Sequence, residues 1–264
     1  MELKEAIGGR RSIRFFKPWQ PVEREKIQTV LEAARLSSRA MNADLAKAIV
    51  VRREELTGDD VDRLRTPMAT AQLDLAPAWI FWFGDAAAVA TGTAARMKEL
   101  VDAGALPASH GWSHAYVDEV YLPRVVAPVL DDAARLLMIM ALEVGQAVAH
   151  GLLAAVDEGL GTGLVSVDRA AAREILGAPE SWTLMWVQLL GYPAESPEAG
   201  GQRPRPPFEE AYFEGRHGRP FRRDPAVVAR LEATGMLRTG APAPWRGAEL
   251  AALARMFGLA DEPE

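Results

Sequence analysis

The sequence predicts an α+β fold in which short buried strands alternate with helices around one core. Three observations carry this. The runs 48–51, 78–83 and 184–190 are rich in β-branched or aromatic residues and closed by polar, Pro or Gly residues, as buried strands are. Ile27, Val30, Leu31 and Ala34 follow the i, i+3, i+4, i+7 spacing of a helix with one buried face, over residues 23–36. The longest helical stretch, 131–158, is apolar nearly all round and is expected to be buried.

Taken in order, the chain opens with a helix broken by Gly8-Gly9, and Pro21 then suits the start of the helix over 23–36. Two strands follow, Ala48-Ile49-Val50-Val51 and Ala78-Trp79-Ile80-Phe81-Trp82-Phe83. In the long helix, Ala141, Gly145 and Ala149 recur every four residues and would let another helix approach closely, in the core or across a subunit interface. The third strand is closed by Gly191-Tyr192-Pro193, and 193–207 is too rich in Pro and Gly for a regular element. Residues 225–237 and 247–259 read as two short amphipathic helices. The economical organisation is one domain, 1–210, with a C-terminal extension, 211–264.

With 264 residues, 49% of them hydrophobic and 25% charged, the chain can build a sizeable core. A formal net charge of −6 argues against a nucleic-acid partner. Cysteine is absent, which excludes disulfides, thiolate nucleophiles, iron–sulfur clusters and Cys-based zinc sites. The first residues lack a signal-like apolar stretch, and the strongest apolar runs, 77–83 and 136–142, fall well short of about 20 residues. The expectation is a soluble cytoplasmic protein with no membrane partner.

The densest chemical signal is Arg10-Arg11-Ser12-Ile13-Arg14, three guanidinium groups and a hydroxyl just after the glycine break. Guanidinium forks donate paired hydrogen bonds to phosphate oxygens, although an isolated segment of this kind also suits a solvated basic loop. The run Gly159-Leu160-Gly161-Thr162-Gly163 starts like a dinucleotide fingerprint, but a long helix precedes it, so a helix stop explains the glycines better. His110 and His114 stand four apart without a Cys or an H-E-x-x-H pattern, and no metal is expected. Glu143, Gln146 and His150 share a helix face as a polar network, a solvent stripe or pocket groups.

The order of these features resembles the FMN-dependent nitroreductase family over residues 1–210. The match runs through Arg-Arg-Ser-x-Arg-x-Phe at 10–16, then Ser37-Ser38-Arg39-Ala40-Met41-Asn42 before a strand. It continues with Gly159–Gly163, Val167-Asp168 and Glu174-Ile175-Leu176-Gly177, and ends with Leu190-Gly191-Tyr192-Pro193 and Arg203-Pro204-Arg205-Pro206. The resemblance implies a three-layer α/β/α sandwich with a mostly antiparallel central sheet, paired into an intertwined homodimer with FMN at the subunit interface. It implies that Arg10, Ser12, Arg203 and Arg205 hold the phosphate and ribityl chain, Arg11 contributing through its backbone or local field. It further implies Arg14 near the ring N1 and O2, the backbone at Val165 and Ser166 near N5 and O4, and Ser38 and Asn42 reaching the flavin from the opposite subunit.

The chain departs from the family pattern where Asp44-Leu45-Ala46 replaces the common Gln-Pro-Trp, and where Ser38 and Arg39 replace a Pro and a small residue. The turn before Asp168 is also one residue shorter. These changes bear on ring and substrate contacts and leave the phosphate arginines alone. Residues 103–121 then read as a variable loop or lid, with Trp112, His114, Tyr116 and Tyr121 as walls of a substrate pocket or as side chains of a surface loop.

The implied activity is NAD(P)H-dependent reduction of a small organic molecule, a nitroaromatic, quinone or similar, in a ping-pong hydride transfer with no catalytic side chain. An FMN-dependent oxidase or dehydrogenase, a reductive dehalogenase and a non-catalytic flavin-binding regulatory dimer are the alternatives.

Overall fold

The computed structural model describes residues 1–67 and 71–259 of the chain; the last residues of the expected extension, 260–264, lie outside them. In chain order its main elements are α1 (Leu3–Gly9), α2 (Arg24–Arg35), β1 (Ala46–Arg52), α3 (Gly58–Leu64), α4 (Ala71–Leu75), β2 (Ala78–Asp85) and α5 (Ala87–Asp102). A π-helical segment, Val117–Val126, leads to α6 (Ala133–Asp157), β3 (Gly161–Val165), α7 (Arg169–Leu176), β4 (Trp182–Gly191), α8 (Pro225–Ala233) and α9 (Arg246–Phe257).

The strands form one sheet in the order β1-β2-β4-β3, every pair antiparallel. Side chains alternate across a strand, so the apolar run in β2 feeds two cores at once. Trp79, Phe81 and Phe83 enter one core with Val187, Leu189, Val61 and Leu64 of α3, and Ala172 of α7. Ala78, Ile80 and Trp82 enter the other with Ile27, Val30 and Ala34 of α2, and Val144, Ala147 and Val148 of α6. The sheet is therefore the middle of three layers. Its polar interior is satisfied locally: the buried Gln188 accepts from Trp82 Nε1 at 3.0 Å and donates to Thr162 Oγ1 at 3.1 Å. Trp82 faces Trp186 but Phe83 faces Leu184, so Met185 is the extra residue of a bulge.

Three expectations are corrected. The run at 159–163 is only partly a helix stop. Gly159 has φ +74° just after α6, as a left-handed helix end requires, but Gly161 and Gly163 begin the strand β3. The segment 103–121 is not a loop throughout, because it is helical from His114 into the π-helical stretch, which absorbs Pro123.

Helix α6 is not buried all round. One side, with Met140, Glu143, Val144, Ala147, Val148, Gly151 and Ala155, is buried. Leu137, Met138 and Leu142 on the other are 48%, 56% and 59% exposed, and Ala141, Gly145 and Ala149 are exposed with them. The reason is geometric: α2 and the sheet cover one face, and no described residue covers Leu137, Met138 and Leu142 on the other. This helix has 25 residues and contains an 18-residue window of mean hydropathy 1.7, so it is long and apolar enough to cross a membrane by length and composition only. The polar trio divides too. Glu143 is buried, while Gln146 and His150 are exposed, His150 Nδ1 lying 3.1 Å from the Ala33 carbonyl oxygen.

Candidate functional site

The arginine-rich segment is seated on the far edge of the sheet. Ser12 pairs in parallel with Thr162 of β3, and the Ile13 amide donates to the Thr162 carbonyl at 2.9 Å. Beyond it, Phe16 pairs with Pro193, Lys17 N donates to Tyr192 O at 2.8 Å, and Ala194 N donates to Phe15 O at 2.9 Å. Ile13 and Phe16, 4% and 0% exposed, are the anchors. The glycines of β3 make this seat possible. A Cβ on Gly161 would lie 3.0 Å from Ile13 Cγ1, and one on Gly163 would lie 3.0 Å from the Ile13 carbonyl oxygen.

The same edge releases the proline-rich stretch after β4. Arg10, Arg11 and Ser12 therefore meet Gln202, Arg203 and Arg205 around one cavity of about 530 Å³. Burial and the neighbouring Arg205 and Arg203 charges hold the Arg10 guanidinium below its ordinary pKa. Burial followed by Arg203 does the same for Arg14. Positive groups gathered and desolvated in this way favour a negative ligand.

Arg11 sharpens the point. It is 7% exposed; Nη1 donates to Gly8 O at 2.7 Å and Arg10 O at 2.9 Å, yet Nε and Nη2 have no hydrogen-bond partner. An unsatisfied buried donor on a charged group costs more than the roughly 1–3 kcal/mol of a neutral one, which a phosphate oxygen would relieve. Arg11, expected to act through its backbone or local field, thus brings a buried guanidinium to the lining of the cavity. The donor set fits a phosphate.

Glu195 is the residue that sequence reasoning missed. Its fully buried carboxylate accepts from Arg14 N at 2.5 Å and Phe15 N at 3.0 Å through Oε1. Oε2 meets Arg246 Nη1 of α9 at 2.6 Å without a linear hydrogen bond. The pairing spans the loop and the C-terminal extension, and no local pattern announces it. The extension also packs from the other side: a Cβ on Gly8 would fall 2.0 Å from the Gly235 carbonyl oxygen, and Phe257 stacks on Phe15 and Trp19 with centroids 6.2 Å away.

Other expected site residues lie outside this cavity. Arg14 stands beside it, with Nη1 donating to Ser12 O at 3.1 Å. Val165 is in the core, and the Ser166 carbonyl accepts from Thr66 Oγ1 at 3.0 Å. Asn42 lines a second cavity of about 630 Å³ with Arg35, Arg39, Asp44 and Arg96, and Ser38 is exposed nearby in sequence. Met41, Asn42 and Asp44 have φ of 53°, 51° and 53°, uncommon for residues other than glycine, and Arg39 and Arg96 both pair with Asp44. The two cavities share no lining residue, so one chain alone does not bring Asn42 to the arginines.

Of the proposed pocket walls, Trp112, Tyr116 and Tyr121 cluster, with centroids 5.1 Å and 5.5 Å from Trp112. Tyr121 packs against the Leu45, Val89 and Met140 cluster, as does Met41, which puts this segment on the side of the second cavity. Burial raises the Tyr121 hydroxyl pKa. His114 is exposed and paired with Asp102 at 2.8 Å, away from both cavities.

No curated protein matches the chain. Solved structures share its fold at low identity. A nitroreductase family protein from Streptococcus pneumoniae is 20% identical over 81% of this chain and 100% of its own, with a TM-score of 0.60. A protein from Exiguobacterium sibiricum solved in complex with FMN is 19% identical, over 81% and 97%, with a TM-score of 0.62. One from Staphylococcus epidermidis, named for NAD(P)H:FMN oxidoreductase activity, is 14% identical, over 81% and 95%, with a TM-score of 0.63. The model of the nitroreductase family matches residues 7–192, which stops short of 210, so Arg203 and Arg205 are tied to the site by the shared cavity and not by the family pattern. That match spans well over half of the sequence, and the chain belongs to the nitroreductase family.

Proposed function

We propose that the cavity holds the phosphate of FMN, and that the chain is an NAD(P)H-dependent FMN oxidoreductase that reduces a small organic acceptor. One observation carries the reading: guanidinium groups from residues 10–11 and 203–205 surround a single cavity in which buried donors are unpaired. The Exiguobacterium relative solved with FMN, and the Staphylococcus relative named for NAD(P)H:FMN oxidoreductase activity, support it.

In this reading Arg10, Arg11, Ser12, Arg203 and Arg205 bind the phosphate and ribityl chain, each charge-assisted hydrogen bond contributing about 1.5–3 kcal/mol. When bound, FMN supplies the redox chemistry, taking electrons from NAD(P)H and passing them to the acceptor. Arg14 lends positive charge beside the ring edge, and the backbone at Val165 and Ser166 runs along the ring. Reductant and acceptor use the same opening in turn, a ping-pong order.

The functional unit in this proposal is a homodimer. The exposed stripe of Leu137, Met138, Ala141, Leu142, Gly145 and Ala149 on α6 takes a second copy, and Ser38 and Asn42 then complete the partner's flavin site. A cytoplasmic location, and a division into a flavin-binding domain 1–210 and an extension 211–264, belong to the same proposal.

The test is to purify the protein, release its flavin and identify it, then follow NAD(P)H oxidation with a panel of nitroaromatic and quinone acceptors. A colourless protein that ignores added FMN refutes the cofactor assignment; bound flavin that NAD(P)H cannot reduce refutes the activity. Leu142→Glu is expected to yield a monomer in sedimentation that retains little flavin.

A further inference from the structure

The arginine cavity is larger, more positive and more aromatic than one phosphate requires. The phosphate is the size of two or three waters, at about 30 Å³ each, and even with the ribityl chain beside it fills only part of the roughly 530 Å³. Among the described residues five arginines line the cavity, Arg10, Arg11, Arg203, Arg205 and Arg223, and no acid does. A single phosphate brings at most two negative charges.

The far wall is built for a planar group. Phe208 and Tyr212 have ring centroids 4.6 Å apart, the Arg223 guanidinium lies 5.6 Å from the Phe208 centroid, and Tyr212 is 57% exposed, so a ring face is open to a ligand. An aromatic surface beside a guanidinium is the chemistry that seats a nucleobase next to its phosphate. All three residues lie beyond the segment 7–192 matched by the family model.

We infer that the cavity takes a nucleoside phosphate joined to the flavin phosphate, so that the chain binds FAD more tightly than FMN. The second phosphate meets the surplus positive charge toward Arg223, and the adenine stacks on Phe208 and Tyr212. This rests on the flavin reading above.

The test strips the full-length protein of flavin and titrates it calorimetrically with FMN and with FAD at low ionic strength. FAD is expected to bind at least about tenfold more tightly, the effect of one stacked base. Tyr212→Ala and Arg223→Ala should each remove most of that advantage while leaving the FMN Kd within about twofold; both residues are exposed, and the FMN titration reports that the fold is intact. Arg203→Ala should weaken both flavins. FMN binding as tightly as FAD, or an FAD advantage that survives the Tyr212→Ala/Arg223→Ala double variant, overturns the inference and leaves the FMN reading standing. Binding of neither flavin overturns both.

Discussion

Replacing Arg246 tests how far the C-terminal extension underwrites the arginine segment. Glu195 has a fully buried side chain, and Arg246, 14% exposed, supplies its only ion pair among the described residues. Arg246→Ala leaves that carboxylate buried and unneutralised, a loss of about 3–5 kcal/mol for a buried pair broken on one side. Glu195 keeps the amides of Arg14 and Phe15, so the lower end, about 3 kcal/mol, is expected. For a chain of this size that lowers Tm by roughly 6–12 °C, measured by thermal melts at fixed protein concentration. The double variant Glu195→Gln/Arg246→Ala removes both charges and should regain more than half of the loss. Flavin affinity reports the local effect, because the Glu195 bonds hold the backbone at Arg14. A single variant within about 0.5 kcal/mol of the parent, or a double variant no better than the single, refutes the reasoning.

Gly163→Ala should push Ile13 away from β3, costing about 1–3 kcal/mol in urea unfolding and weakening flavin binding although residue 163 touches no ligand; unchanged binding would remove the seat from the explanation. Arg14→Ala should retain flavin but slow its reduction by NAD(P)H about tenfold, about 1.4 kcal/mol of barrier, in stopped-flow measurements; unchanged kinetics would take Arg14 away from the ring. Burial holds the Glu143 carboxyl above its ordinary pKa, so the folded state favours the neutral acid. Stability from this group is therefore full below the unfolded value of about 4.3 and is lost as pH rises through the folded value, by about 1.4 kcal/mol per unit of elevation. Denaturation followed upward in pH from about 4.3 should show this trend relative to Glu143→Gln, and parallel profiles would contradict it.

Much of the fold was legible because period and burial coincide. The strand runs at 48–51, 78–83 and 184–190 emerged as β1, β2 and β4, and the spacing of Ile27, Val30 and Ala34 gave α2. β3 was hidden because Gly161 and Gly163, chosen for the chain that crosses them, carry no strand signature and mimic a helix end. Composition could not show that Leu142 faces outward, since an apolar residue on an exposed helix face reads the same as one facing the core. The arginines of the cavity stood out by type, but their meeting came from the order of features along the chain. Glu195 and Arg246 were invisible because their partnership is purely three-dimensional.

The separation of Asn42 from the arginine cavity within one chain has a practical consequence. If each complete site draws on two copies, prosthetic-group retention obeys mass action on the polypeptide itself. A concentrated solution would keep its colour, while dilution below the dimer dissociation constant would bleach it, with no change in any residue that meets the ligand. Turnover assayed at nanomolar protein would then understate the enzyme, and excess free flavin in the assay would restore it.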